Sequence, residues 1–136
     1  MMPSLKIFVV DDDADDRYFL AEAIHAVIQP VDIVELTDGL ELMQAIESIP
    51  AENNSVVVLL DMNMPKMNGL EVLEALQFDE KYKDIPVMMV STSQKETLIT
   101  EAYRLGVRRY FTKPYDTTEY QKMIQQIIQT LEDDLL

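Results

Sequence analysis

The sequence predicts an α/β domain in which five parallel strands alternate with five helices, and the helices cover both faces of one open sheet. Three observations carry this expectation. Short apolar runs rich in β-branched residues recur at regular intervals, and the stretches between them carry helical periodicity over three or more turns. The apolar runs are also mostly continuous rather than alternating, as strands buried on both faces must be. Parallel strands joined this way need right-handed crossovers, which send helices to either side of the sheet.

The elements follow in chain order. "KIFVV" (6–10) is the first strand, and residues 14–28 repeat as a helix behind it. "VDIVEL" (31–36) is a second strand, half polar, followed by helical spacing over 39–48. "SVVVLL" (55–60) is apolar throughout and predicts a central strand; "NMPKMNG" then reads as a loop broken by Pro65 and Gly69. Helical spacing resumes over 69–78, "PVMMV" (86–90) is the fourth strand, and a helix over 95–105 stops at Gly106. "VRRYF" (107–111) is the fifth strand. In the last helix Tyr120, Met123, Ile124, Ile127, Ile128 and Leu131 fall at three and four residue steps, with Gln and Glu opposite, so one face lies on the sheet.

Size and composition bound what such a domain can do. A chain of 136 residues, 48% hydrophobic, fits a single domain over residues 1–136, with no linker, repeat, low-complexity segment or effector domain. The net charge of −14 would repel a phosphate backbone, and Arg108-Arg109 is the lone basic pair, which argues against direct nucleic-acid binding. Without cysteine there is no disulfide, thiolate metal site or cysteine nucleophile. The start "MMPSLKIFVV" is too short for a leader or membrane span, so cytoplasmic residence is the expectation.

Ligands of open α/β sheets sit beyond the carboxyl ends of the strands. There the chain places Asp11 and Asp12 after the first run, Asp61 after the third, Ser91 and Thr92 after the fourth, and Lys113 followed by Pro114 after the fifth. The second ends in Leu36-Thr37, with nothing reactive. "VVDDDADDR" (9–17) crowds five acidic residues into six positions, although each exposed carboxylate pair at ~4 Å costs about 1 kcal/mol in water. A helix start or a bound cation can offset that repulsion.

The segments VVDD, LLDMNMPKMNGLEVL, PVMMVST and YFTKPY, in that order and each at a predicted strand end, resemble the receiver domain of two-component response regulators over roughly residues 5–132. The resemblance implies a flavodoxin-like sheet of strand order 2-1-3-4-5, in a stand-alone receiver similar to chemotaxis regulators. It also implies that Asp61 accepts a phosphoryl group from a histidine kinase or a histidine phosphotransfer protein. Mg²⁺, or Mn²⁺ in its place, would be held by Asp12, Asp61 and the backbone carbonyl of Asn63, with Asp11 acting mainly through water on the ion. Lys113 and Ser91 would contact the phosphoryl oxygens, and Ser91 and Tyr110 would form the switch. The Lys113–Pro114 bond is usually cis in this family. Output would go to a downstream protein target through the fourth helix, fifth strand and fifth helix, with the protein a monomer or a phosphorylation-dependent dimer. On this reading the acidic run is two features end to end: Asp11 and Asp12 as pocket ligands, and Asp13, Asp15 and Asp16 as charges at the start of the first helix.

Plainer readings exist for each residue alone. Asp61 could cap a turn, Lys113 could snorkel from a strand end, and the methionines of the loop after Asp61 could simply pack. Ser91 stands where the family most often has Thr and keeps the hydroxyl. Thr92 is bulkier than usual there, and Asn63 and Ser93 occupy positions that tune hydrolysis in the family. His25 has no assigned role. An intermediate relay between phosphohistidines is an alternative use of the same site. A phosphatase of the haloacid dehalogenase type is a poorer fit, because its second carboxylate belongs two residues after the nucleophile, where Asn63 stands. A nucleotide-binding module would need a Gly-rich loop, and the three glycines are scattered.

Overall fold

The computed structural model describes residues 5–50 and 55–134; the first four residues of the stretch assessed as a leader, and the closing Leu135-Leu136, lie outside them. In chain order the elements are β1 (Leu5–Val10), α1 (Ala14–Val27), β2 (Val31–Leu36), α2 (Gly39–Ile46), β3 (Val56–Leu60), α3 (Gly69–Gln77), β4 (Val87–Ser91), α4 (Glu96–Arg104), β5 (Arg109–Thr112) and α5 (Thr117–Asp134). The five strands form one sheet in the order β2-β1-β3-β4-β5, with every pair parallel.

Register makes this sheet a platform. Val10 lies beside Leu36 on one side and Leu60 on the other, Leu60 beside Met89, and Ser91 beside Thr112. The strands therefore end nearly level, and the residue after each end faces one shared edge. Strand order reverses between β1 and β3, where a crevice opens in folds of this topology.

Alternating side chains feed two cores. Phe8, Val10, Val58, Leu60, Val87 and Met89 point to one face, where Leu42 and Ile46 of α2, Val72, Leu73 and Leu76 of α3 and Ala102 of α4 cover them. Ile7, Val9, Val57, Leu59, Met88 and Val90 point to the other, under Leu20 and Ile24 of α1 and Tyr120, Met123, Ile124 and Ile127 of α5. All of β3 is buried, as its unbroken apolar run requires. The polar positions of β2 fit its place at the sheet edge, where exposed Asp32 meets Lys6 at 3.6 Å.

Local chemistry sets the ends of the helices. Asp13 caps α1, its carboxylate accepting from the N–H groups of Asp15 and Asp16, and Asn68 forms a reciprocal capping box with Glu71 at the start of α3. Beyond α4, Gly106 takes φ +99°, the N–H of Gly106 bonds the Tyr103 carbonyl and that of Val107 the Ala102 carbonyl. That αL turn also explains why β5 begins at Arg109, two residues after the apolar pattern suggests: Val107 is buried as the hydrophobic contact that closes the helix, not as strand. The cis peptide bond among the described residues is Gln29–Pro30, so Lys113–Pro114 departs from the family's habit. The isomers of an X–Pro bond differ by only about 1 kcal/mol, and residue identity does not choose between them. Among the described residues, no helix is long and apolar enough to cross a membrane.

Candidate functional site

Asp11 and Asp61 are fixed by the backbone before their side chains matter. The Asp11 N–H donates to the Leu36 carbonyl at 3.0 Å and the Asp61 N–H to the Val10 carbonyl at 3.0 Å, so the ladder continues one residue past β1 and β3. The Asp11 carbonyl in turn accepts from Arg17 Nη1 at 2.7 Å, while Arg17 Nε donates to Glu35 at 3.3 Å. Below Asp61, Gly69 opens α3 so close to the strand that a Cβ there would come within 2.6 Å of the Asp61 carbonyl oxygen. Only glycine permits that approach, and the Gly69 N–H donates to the Met62 carbonyl at 2.9 Å. Met62 and Met64 are buried packing residues of this loop.

Lys113 enters the same space from the loop after β5, its N–H held by the Ser91 carbonyl at 2.9 Å. Its ammonium lies 2.7 Å from Asp16 Oδ2, 2.9 Å from Asp11 Oδ2 and 3.4 Å from Asp61 Oδ2. Of the residues expected at the site, Lys113 thus meets Asp11 and Asp61, and Asp12 joins those two aspartates in one carboxylate cluster. Asp11 is 1% and Asp61 6% exposed, whereas Asp12 and Asn63 are open to solvent.

Burial governs the electrostatics. It pushes Asp11 up to about 6, helped by the nearby Asp61 charge, although Lys113 and the Asp13 N–H draw it back. Burial also raises Asp61; the Lys113 charge and the N–H groups of Asn63 and Met62 offset part of that rise. For Lys113 burial works downward, but Asp16, Asp11 and Asp61 outweigh it and hold the ammonium above the usual lysine range. Among the described residues, Lys113 is the cation paired with these carboxylates, which outnumber it and repel one another.

Such a surplus suits a divalent cation. Asp11, Asp12 and Asp61 can each present an oxygen within 4.8 Å of the others. Asp11 Oδ2 is buried and makes no well-directed hydrogen bond, since the ammonium at 2.9 Å is an ion-pair contact off the hydrogen-bonding direction. A buried acceptor with that deficit, among oxygen donors only, fits a small hard ion of the Mg²⁺ or Mn²⁺ type.

Ser91 and Tyr110 form a second cluster beside the first. Ser91 is fully buried, and its Oγ accepts from the Ser93 N–H at 3.2 Å. The Ser93 carbonyl accepts from the Tyr110 hydroxyl at 2.6 Å, so one residue of the β4–α4 loop joins both side chains. The Tyr110 ring is half-buried and its backbone N–H donates to the Tyr103 hydroxyl at 3.0 Å. Thr92 is exposed, and His25 lies exposed in the last turn of α1.

Asp16 is the residue whose reach the sequence did not show. It is a charge in the first turn of α1, as expected, and it also gives Lys113 its shortest contact. Its signal was its place three residues after the cap, because side chains of a first turn lean back toward the helix N-terminus, here toward the strand ends. Arg17 was not anticipated at all.

The response regulator receiver domain family matches residues 7–125 of this chain. Chemotaxis protein CheY1 of Helicobacter pylori is 28% identical over 126 residues, 93% of this chain and 98% of that protein. The phosphorylated cyanobacterial phytochrome response regulator RcpA superposes with a TM-score of 0.81 at 32% identity, covering 92% of this chain and 91% of that one. The Mn²⁺-bound form of response regulator Rcp1 gives 0.78 at 31% identity, with 92% and 91% covered.

Proposed function

The chain belongs to the response regulator receiver domain family, and from that premise we propose that it accepts a phosphoryl group on Asp61 and signals through protein contacts. The observation that carries the reading is the meeting of Lys113 with Asp11 and Asp61 at level strand ends. An Asp61 oxygen forms the new P–O bond as the P–N bond of a donor phosphohistidine breaks, and the electron pair stays with the imidazole nitrogen. Both reacting groups are anionic, so the site's work is positioning and charge compensation. Lys113 pairs with one oxygen of the transferred group and the Ser91 hydroxyl donates to another.

Asp11, Asp12 and Asp61, with the backbone carbonyl of Asn63, are the groups that would hold Mg²⁺ or Mn²⁺, consistent with a relative described in a Mn²⁺-bound form. The ion supplies positive charge against the phosphoryl oxygens. As Ser91 turns toward the phosphoryl group it gives up its bond from the Ser93 N–H, and the loop that also anchors Tyr110 is free to shift. The surface of α4, β5 and α5 then changes for a downstream protein, a two-state response to local charge. The donor is a histidine kinase or a histidine phosphotransfer protein, and residues 1–136 act as one cytoplasmic receiver without direct nucleic-acid contact.

Incubation with acetyl phosphate and Mg²⁺, followed by intact-mass measurement, tests this. We expect one phosphoryl group per chain, absent in Asp61→Asn and absent with a chelator. Label retained in Asp61→Asn, or steady turnover of a simple phosphate ester, would overturn the proposal.

A further inference from the structure

We infer that Asp16 is a positioning residue for Lys113: the carboxylate on α1 holds the ammonium away from Asp61, so that the acceptor oxygen stays open for attack. The inference rests on the phosphoacceptor reading of Asp61. An ammonium has three N–H donors, and here three carboxylates compete for them at 2.7, 2.9 and 3.4 Å. The shortest contact goes to Asp16, from a different element than either pocket aspartate, and the longest goes to Asp61. Lys113 is 10% exposed in its side chain and Asp16 24%, so the pair is shielded enough for its geometry to count.

Without the Asp16 carboxylate, the ammonium keeps Asp11 and Asp61 as its charged partners among the described residues. It then closes on Asp61 Oδ2, now at 3.4 Å, and engages the carboxylate whose oxygen must form the P–O bond. Labelling should slow. Simple loss of negative charge works in the opposite direction, because it eases the approach of an anionic donor. The sign of the effect therefore separates positioning from bulk electrostatics. Asp15 supplies the control: it is exposed, one residue away in the same first turn, and carries the same charge.

In the test, acetyl phosphate transfers its phosphoryl group to Asp61 at saturating Mg²⁺, acetate leaves with the electron pair of the broken P–O bond, and the rate is followed by intact mass. Asp16→Asn is expected to slow labelling roughly tenfold, the worth of about one charged hydrogen bond. Asp16→Glu should recover most of the rate and Asp15→Asn should not slow it. In a Lys113→Met background, whose slow labelling is followed over longer times, Asp16→Asn should have little further effect, since the pair is already broken. Equal slowing by Asp16→Asn with and without Lys113, slowing by Asp15→Asn to the same extent, or no slowing at all would overturn the inference while leaving Asp61 as acceptor. A wild-type protein that takes no label on Asp61 removes the acceptor reading, and this inference with it.

Discussion

Replacing Asp11 by Asn should change the stability of the metal-free protein in a way that reverses with pH. Asp11 ordinarily titrates near 3.8 and is pushed up to about 6 by burial. A raised carboxyl adds stability that is fully present below about pH 3.8 and is lost as pH rises through about 6. At pH 8 the ionised, buried Asp11 is thus a liability, and at about 1.4 kcal/mol per pH unit the liability is at most about 3 kcal/mol. Relief of Asp61 from the neighbouring charge acts in the same direction. The amide has its own cost. Oδ1 accepts from the Asp13 N–H at 2.9 Å and Oδ2 faces Lys113 at 2.9 Å, so either orientation of Asn sets an NH₂ against a donor, for a loss of about 1–2 kcal/mol. Asp11→Asn should accordingly gain about 1–2 kcal/mol at pH 8 and lose a similar amount at pH 4. Lys113 stays cationic throughout this window, and the carboxylates other than Asp61 are common to both proteins, so their titration largely cancels in the difference. Urea unfolding in the presence of a chelator, followed by far-ultraviolet circular dichroism at pH 4 and pH 8, measures it. A difference between variant and wild type that does not move between these pH values would refute the account of a strained, buried Asp11.

Two further outcomes follow from the packing around the site. Gly69→Ala should destabilise the fold by roughly 2 kcal/mol, read from the urea midpoint, because its Cβ would meet the Asp61 carbonyl oxygen and the Met62 Cα, both backbone atoms that yield only by moving the acceptor loop. The variant should also label more slowly with acetyl phosphate while still folded. Tyr110→Phe removes the hydroxyl that holds the Ser93 carbonyl at 2.6 Å; a loss of about 1 kcal/mol is expected, and hydrogen exchange at the β4–α4 loop should quicken while labelling of Asp61 persists.

What could be read from the sequence, and what could not, divides along a physical line. Strand and helix identities were legible because burial imposes a pattern: β3 had to be a central strand once "VVVLL" stood between two loops. The meeting of Asp11, Asp61 and Lys113 followed because level parallel strands deliver the next residue of each to one rim, so only the strand ends had to be located. Where two uses of one residue type compete, pattern does not choose. Val107 fits a β-strand as well as it fits the closing contact of an αL turn, and the positive φ of Gly106 decided for the turn.

The acidic run is the sharper case. Asp13, Asp15 and Asp16 all satisfy the preference of a helix start for negative charge, and that preference is met by Asp13, whose carboxylate takes the N–H groups of both others. Once the cap is supplied, Asp16 has no local obligation, and the partner that claims it comes from 97 residues away in the chain. Nothing periodic connects α1 to the loop after β5; only the folded sheet does. Crowding that looks costly when counted along the chain is therefore distributed in space: Asp13 to a cap, Asp16 to a lysine, Asp15 to solvent, and Asp11 and Asp12 to a cluster that could hold a cation. The repulsion that remains falls on Asp11 and Asp61, the two that burial also disfavours as anions. A site left in that condition is poised to gain from the arrival of positive charge, and the same two side chains report that gain as a change in stability.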